Sequence, residues 1–530
     1  MYLIALLTAI LYVIFSEGIG QWICKRLNIN ARGFTAPYGA AAVFAILELF
    51  YLPRLIRGGS FDWIKGSTVI VLIICVVCVC ITFRQNIKSL FRARSIYVIL
   101  SALLLAVLFW LGQQSINISA DSELLLMVSN VNTDMIRLGS LRLQGYELFG
   151  SFVVWSFSGN STAACLMLGL YANMIAVMMI LNIVDSFEIK NPWFRFTLIL
   201  CSVFYCQFYS WKITGSFHGA NWRLIFTALT LFTVYTWLKR REENIKYLIP
   251  LVITAGLATN NGFFMISVEI LYCVAIWLFR SKKIRTLYDL MTFAFPVMIY
   301  FSCWLGRRNG LAGWLMLLFS AALIIIRRRR FAYHRIIQIE DFLIDYSRQI
   351  FYIGVPLVFL IGTFILRFFV PGYGIEYSHY IRFFSETPIK SYIFLSGSWI
   401  DNILDVFRWG GVLFFLIKAF KPEDTCIRAV WLGMVIFFIN PLCMGMLSQI
   451  VGLNAYAYAF EIIFNPFTDV MIFWWIYRQF EWTVVGQWIL ELTLIFAMVF
   501  GHVTSFTNSK TGLYTDLLDH DPKTGMVIIP

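Results

Sequence analysis

Apolar stretches long enough to cross about 30 Å of hydrocarbon as helices recur from Tyr2 to Phe500, separated by short segments rich in Lys, Arg, Gly and Asn. Within these stretches apolar and polar residues do not alternate, so the pattern predicts helices and not the strands of a barrel. Runs begin near Tyr2, Phe34, Ser67, Ser95, Phe196, Leu224, Tyr247, Phe263, Leu287, Leu311, Ile350, Asn402, Ala429, Pro466 and Thr483, with a broken run over Leu148–Ser161. The expected fold is all-α: a polytopic transmembrane helix bundle of about 14–16 spans. One bundle is expected over 1–503, followed by a polar tail over 504–530.

Three polar segments interrupt the pattern. Gln113–Glu147 is acidic, Arg327–Gln349 alternates apolar and charged residues in the manner of an amphipathic interfacial helix, and the 371–401 segment mixes turn formers with aromatic and charged residues. With the acidic segment placed outside, roughly two-thirds of the 42 Lys and Arg residues fall in cytoplasmic segments, which fixes the expected orientation with both termini extracytoplasmic.

Composition agrees with this picture. The chain has 530 residues, of which 60% are hydrophobic and 13% charged, far from the balance of a soluble domain. Its formal net charge of +13 gathers at the ends of apolar runs, so the basic residues read as topology signals and nucleic acid is not an expected partner. Cys75, Cys78 and Cys80 lie within one apolar run without a histidine beside them, and read as small packing residues. No ATP-binding P-loop is present, which argues against an ATP-driven pump within the chain.

The candidate chemistry lies in the outer segments. Asp121, Glu123 and Asp134 stand in the acidic loop, where a carboxylate could take a proton or hold a divalent cation, and where helix capping is the structural alternative. His218 and Arg223 lie in the short turn SFHGANWR and could contact phosphate oxygens, the alternative being a polar turn with Arg223 snorkelling at the membrane edge. Glu376, His379 and Arg382 share a spacing of three and form a secondary set, though a salt bridge along a helix explains Glu376 and His379 without function. Glu17, Glu48, Glu269, Asp289 and Glu491 fall inside apolar runs, where an acid is costly and is either functional or hydrogen-bonded.

An outer loop reading ADSELLLMVSNVNTDMI, followed later by FHGANWR, resembles the GT-C class of integral-membrane glycosyltransferases. The resemblance is nearest to an uncharacterised bacterial multi-spanning family of that class, in which the loop carries D-D-x-x-Y and a T-D turn, and a later turn reads W-Q-G-K-A. Asp121 and Asp134 match the first pattern, and Phe217, His218, Gly219 and Ala220 align with the second. The acidic pair is here Asp121-Ser122-Glu123, the aromatic is missing, and Ala220 stands at the lysine position. The resemblance implies a bacterial plasma-membrane enzyme of cell-envelope glycan assembly. It would move sugar from a polyprenyl-phosphate donor to a glycan or lipid acceptor at the extracytoplasmic face. In that reading Asp121 is the general base, Glu123 assists it or shares a divalent cation (Mg or Mn) with it, and His218 and Arg223 hold phosphate. A transporter or flippase of lipid-linked glycan, a polysaccharide polymerase and a non-catalytic relative are the competing expectations.

Overall fold

The computed structural model describes residues 2–30, 33–57, 61–90, 94–111, 149–150, 153, 161–204, 219–240, 243–259, 287–327, 329–346, 349–369, 410, 465–479, 485, 488 and 491–492. Among these residues the chain is helical apart from turns and short connections, with no strand. The chain divides into two compact units, one of residues 1–262 and 477–530 and one of residues 263–476.

The first unit holds α1 (Tyr2–Arg26), α2 (Ala36–Arg57), α3 (Phe61–Leu90), α4 (Ser95–Leu111), α5 (Ser161–Ser186), α6 (Pro192–Phe204), α7 (Gly219–Arg240) and α8 (Leu248–Leu257), with a short 3-10 turn over Glu243–Tyr247. At its centre is α5, which is buried on every face from Leu166 to Val184, as expected of a helix packed on every side. The helices α1, α2, α4, α6 and α7 pack on it, and α8 closes against α2 and α7.

Small residues let α1 and α2 approach closely. A side chain at Gly39 would overlap the carbonyl of Ser16, and one at Gly20 would overlap the carbonyl of Thr35. Hydroxyls then fasten the helices, with Ser16 and Tyr171 2.6 Å apart, Thr82 donating to the carbonyl of Gly18 at 3.3 Å, and Asn173 donating to Ser101 at 3.0 Å. Close backbone approach with interhelical hydrogen bonds is how helices associate where hydrophobic drive between them is weak.

The outward faces of α1, α3 and α4 are apolar. Leu3, Ile4 and Leu7 on α1, Ile70, Ile73 and Ile81 on α3, and Ile96, Ile99 and Leu100 on α4 are all exposed. Among the described residues two helical stretches, Leu3–Arg26 and Leu166–Ser186, are each long and apolar enough to cross a membrane, and a third crossing is reached if the bent pair Gly310–Ile326 and Phe331–Asp345 counts as one span.

The second unit contains α9 (Leu287–Arg308), α10 (Gly310–Arg327), α11 (Arg330–Asp345), a π-helical turn over Ile350–Gly354 leading into α12 (Val355–Phe369), and most of α13 (Pro466–Gln479). Helices α9 and α10 pack side by side, where Gly313 meets the backbone of Gly306. A bend of 90° separates α10 from α11, the helix inside the expected amphipathic connector, which exposes Phe331, Ile339 and Phe342.

Several helix starts follow from local chemistry. Asn191 and Asn465 each precede a proline, and each side-chain oxygen accepts backbone N–H bonds from the two residues after that proline. Asparagine at the cap with proline at the first helical position is a favourable start.

Candidate functional site

Two polar places stand at opposite ends of α7, Gly219–Arg240. The first is its opening turn. Trp222 and Arg223 are both buried there, at 0% and 2% exposure. Rings surround Trp222: Phe44 lies at 4.7 Å between centroids, Tyr171 at 5.3 Å and Phe226 at 5.6 Å, with Phe149 joined to the cluster through Phe44 at 5.2 Å. Burial of aromatic surface holds this turn in place. The indole N–H of Trp222 has no hydrogen-bond acceptor among the described residues. The first N–H groups of any α-helix also lack partners within that helix. This turn therefore concentrates donors: an indole, a guanidinium and a helix N-terminus, together suited to an oxyanion.

The second place is a cavity of about 200 Å³ toward the far end of the same helix, where Phe232 and Thr236 line it. Thirteen residues of helix put Thr236 about 20 Å from Arg223. The other walls come from the ends of α1 and α5 and the starts of α2, α4 and α6, through Cys24, Phe34, Arg94, Asp185 and Arg195. Asp185 joins three helices there, since Arg94 pairs with one of its carboxylate oxygens and Arg195 with the other. The side chains of Arg94, Arg195 and Asp185 are 35%, 29% and 14% exposed, so the pair of bridges is partly screened by solvent.

Local geometry shapes this cavity. Asn182 clips the chain ahead of α2, accepting from the Phe34 N–H at 2.8 Å and donating to the Phe34 carbonyl at 2.7 Å. Its amide occupies the space where a side chain at Gly33 would lie. Both α1 and α5 end in the left-handed conformation, at Asn28 (φ 52°) and Glu188 (φ 55°). Asn is a common choice at such a position and Glu is not.

Of the residues expected to carry chemistry, Arg223 is described, and the structure buries it instead of leaving it to snorkel at an edge. Asp121, Glu123, Asp134, His218, Glu376, His379 and Arg382 lie outside the described residues. No group of three or more His, Cys, Asp or Glu side chains among the described residues is placed to hold a metal ion, and Asp121 and Glu123 do not enter that search.

Two acids within apolar runs have structural partners. Glu17 accepts from the backbone N–H groups of Thr35 at 2.9 Å and Ala36 at 2.7 Å, and from Gln21 at 3.0 Å. Glu491 accepts from Thr197 at 3.1 Å. Glu48 is fully buried, while Glu269 lies outside the described residues and nothing is described of the Asp289 side chain. The cavity charges Arg94, Asp185, Glu188 and Arg195 were visible in the sequence only as basic and acidic ends of apolar runs. Comparison with protein families, curated proteins and solved structures finds no match for this chain.

Proposed function

We propose that this chain is a polytopic membrane protein of GT-C-like organisation that transfers sugar from a polyprenyl-phosphate donor to an acceptor at the extracytoplasmic face. The observation that carries the reading is the donor-rich first turn of α7, where buried Arg223 lies beside an indole N–H that has no acceptor among the described residues. A guanidinium has five donors, so Arg223 can serve phosphate oxygens alongside its other contacts, with the Trp222 indole N–H beside it in the chain. Apolar outward faces on α1, α3 and α4 support a bilayer as the surroundings. In this reading Asp121 takes the proton from the acceptor hydroxyl, with Glu123 assisting, while Arg223, with His218 preceding it in the chain, steadies the departing phosphate.

The test is transfer of labelled sugar from polyprenyl-phosphate donors in proteoliposomes. Asp121→Asn is expected to abolish turnover with folding and insertion intact, and Arg223→Gln to lower it by at least about 100-fold. Undiminished transfer by Asp121→Asn sinks the general-base assignment. Absence of transfer from every donor by the parent protein, in liposomes where it is folded, sinks the transferase reading.

A further inference from the structure

We propose that the cavity between the ends of α1 and α5 and the starts of α4 and α6 binds the zwitterionic headgroup of a membrane phospholipid. Its phosphate would sit on the arginine side, at Arg94 and Arg195, and its ammonium on the carboxylate side, at Glu188. This goes beyond the transferase reading. It relies only on the bundle being embedded in lipid and concerns a place about 20 Å along α7 from Arg223.

Charge decides the class of ligand. Arg94, Arg195, Asp185 and Glu188 all line the cavity, two cations and two anions, so a bare anion finds as much repulsion as attraction. A molecule carrying both signs matches both. Arg195 gives Nη2 to Asp185 in the bridge, and a guanidinium has five donors, so the same side chain can serve a phosphate as well. The C-terminal ends of α1 and α5 converge on the cavity and favour positive charge near their carbonyls, which suits an ammonium group. Glu188, exposed and held at φ 55°, stands just past one of those ends.

Location decides the source. Arg94 is followed directly by α4, which turns Ile96, Ile99, Leu100 and Leu103 outward, a track along which an acyl chain can lie. Nearby, Trp193 stacks on Trp488 at 5.3 Å, and the Arg26 guanidinium lies over the Trp22 ring at 5.6 Å. Tryptophan and basic residues at helix ends mark the level of lipid headgroups. A cavity of about 200 Å³ has room for a headgroup and none for a large soluble substrate.

The test is lipid retention by the full-length protein in detergent, read by native mass spectrometry after addition of phosphatidylethanolamine and phosphatidylglycerol in equal amounts. The parent protein is expected to retain phosphatidylethanolamine by roughly tenfold over phosphatidylglycerol, the size of one charge-assisted hydrogen bond. Glu188→Gln, a change at an exposed side chain, is expected to erase that preference without shifting the melting temperature downward. Arg195→Lys is expected to weaken retention of both lipids, since a point charge replaces the fork. Equal retention of the two lipids by the parent, or a preference that survives Glu188→Gln, overturns the proposal. Soluble phosphoethanolamine displacing the lipid, with the same sensitivity to both variants, supports the headgroup chemistry. Binding of phosphoethanolamine without any retention of phosphatidylethanolamine overturns the lipid as the source.

Discussion

The carboxylate of Glu17, in the body of α1, accepts a hydrogen bond from the backbone N–H of Ala36, the first residue of α2, at 2.7 Å. One helix thus supplies the N-cap of the next. The Thr35 hydroxyl returns the contact by donating to the Glu17 carbonyl at 3.1 Å. A side-chain cap normally comes from the residue just before its helix. Here the close approach permitted by Gly20 and Gly39 lets it come from a neighbouring helix.

Glu17→Gln is expected to lower stability by about 1–3 kcal/mol, because an amide accepts more weakly than a carboxylate and lacks the charge that complements the start of α2. Glu17→Leu is expected to cost more, leaving two buried N–H groups without an acceptor. Thermal unfolding followed by helical circular dichroism in detergent checks the order. Equal melting temperatures for the parent and Glu17→Leu would refute the capping role.

Asp185→Ala removes a carboxylate that pairs with both Arg94 and Arg195 and leaves two like charges near each other. The expected loss is about 1–3 kcal/mol, discounted for the partial exposure of both arginines. Combining it with Arg195→Gln is expected to recover part of the loss by removing the repulsion. A double-mutant cycle on the melting transition measures the coupling, and strict additivity would count against the bridge.

Two glycines predict opposite outcomes. Gly39→Val drives a side chain into the Ser16 carbonyl and is expected to destabilise by about 1–3 kcal/mol or more through separation of α1 from α2. Gly66, inside α3, has nothing within 4 Å of where its side chain would be, so Gly66→Ala is expected to gain about 0.5–1 kcal/mol. A melting comparison that reversed this order would contradict the close packing of α1 on α2.

Glu188→Asn replaces a residue that strains the left-handed position by one that tolerates it. It is expected to raise stability by up to about 1 kcal/mol. A fall in melting temperature instead would show that the Glu188 side chain holds the end of α5 in place.

Much of the helical layout was legible in the sequence, because apolar run length and the Asn-Pro pairs at Asn191 and Asn465 are local signals. The runs expected near Ser95, Leu287 and Pro466 open helices at those residues, and those near Phe196, Leu224 and Leu311 lie on helices that start at Pro192, Gly219 and Gly310. The partners of those helices were not legible. Asn182 meets Phe34, and Glu17 meets Ala36, through contacts that no periodicity encodes. Arg223 was visible as a candidate cation, yet its burial was not, and neighbouring Trp222 is enclosed by Phe44 of α2 and Tyr171 of α5, two segments distant in the chain. The Asp185 cavity was hidden for a related reason. Charges at the ends of apolar runs carry a topology signal whether or not they also meet in space.

On the membrane reading proposed above, the cap donated by Glu17 also bears on how the chain would enter a bilayer. A lone α1 must carry an acidic group into hydrocarbon, at a penalty of up to about 3 kcal/mol. That penalty falls once Thr35 and Ala36 have been synthesised and can meet the carboxylate. The two helices are thereby matched as a hairpin: the first is a reluctant passenger alone, and its successor, only a short connection behind, completes the ticket for both.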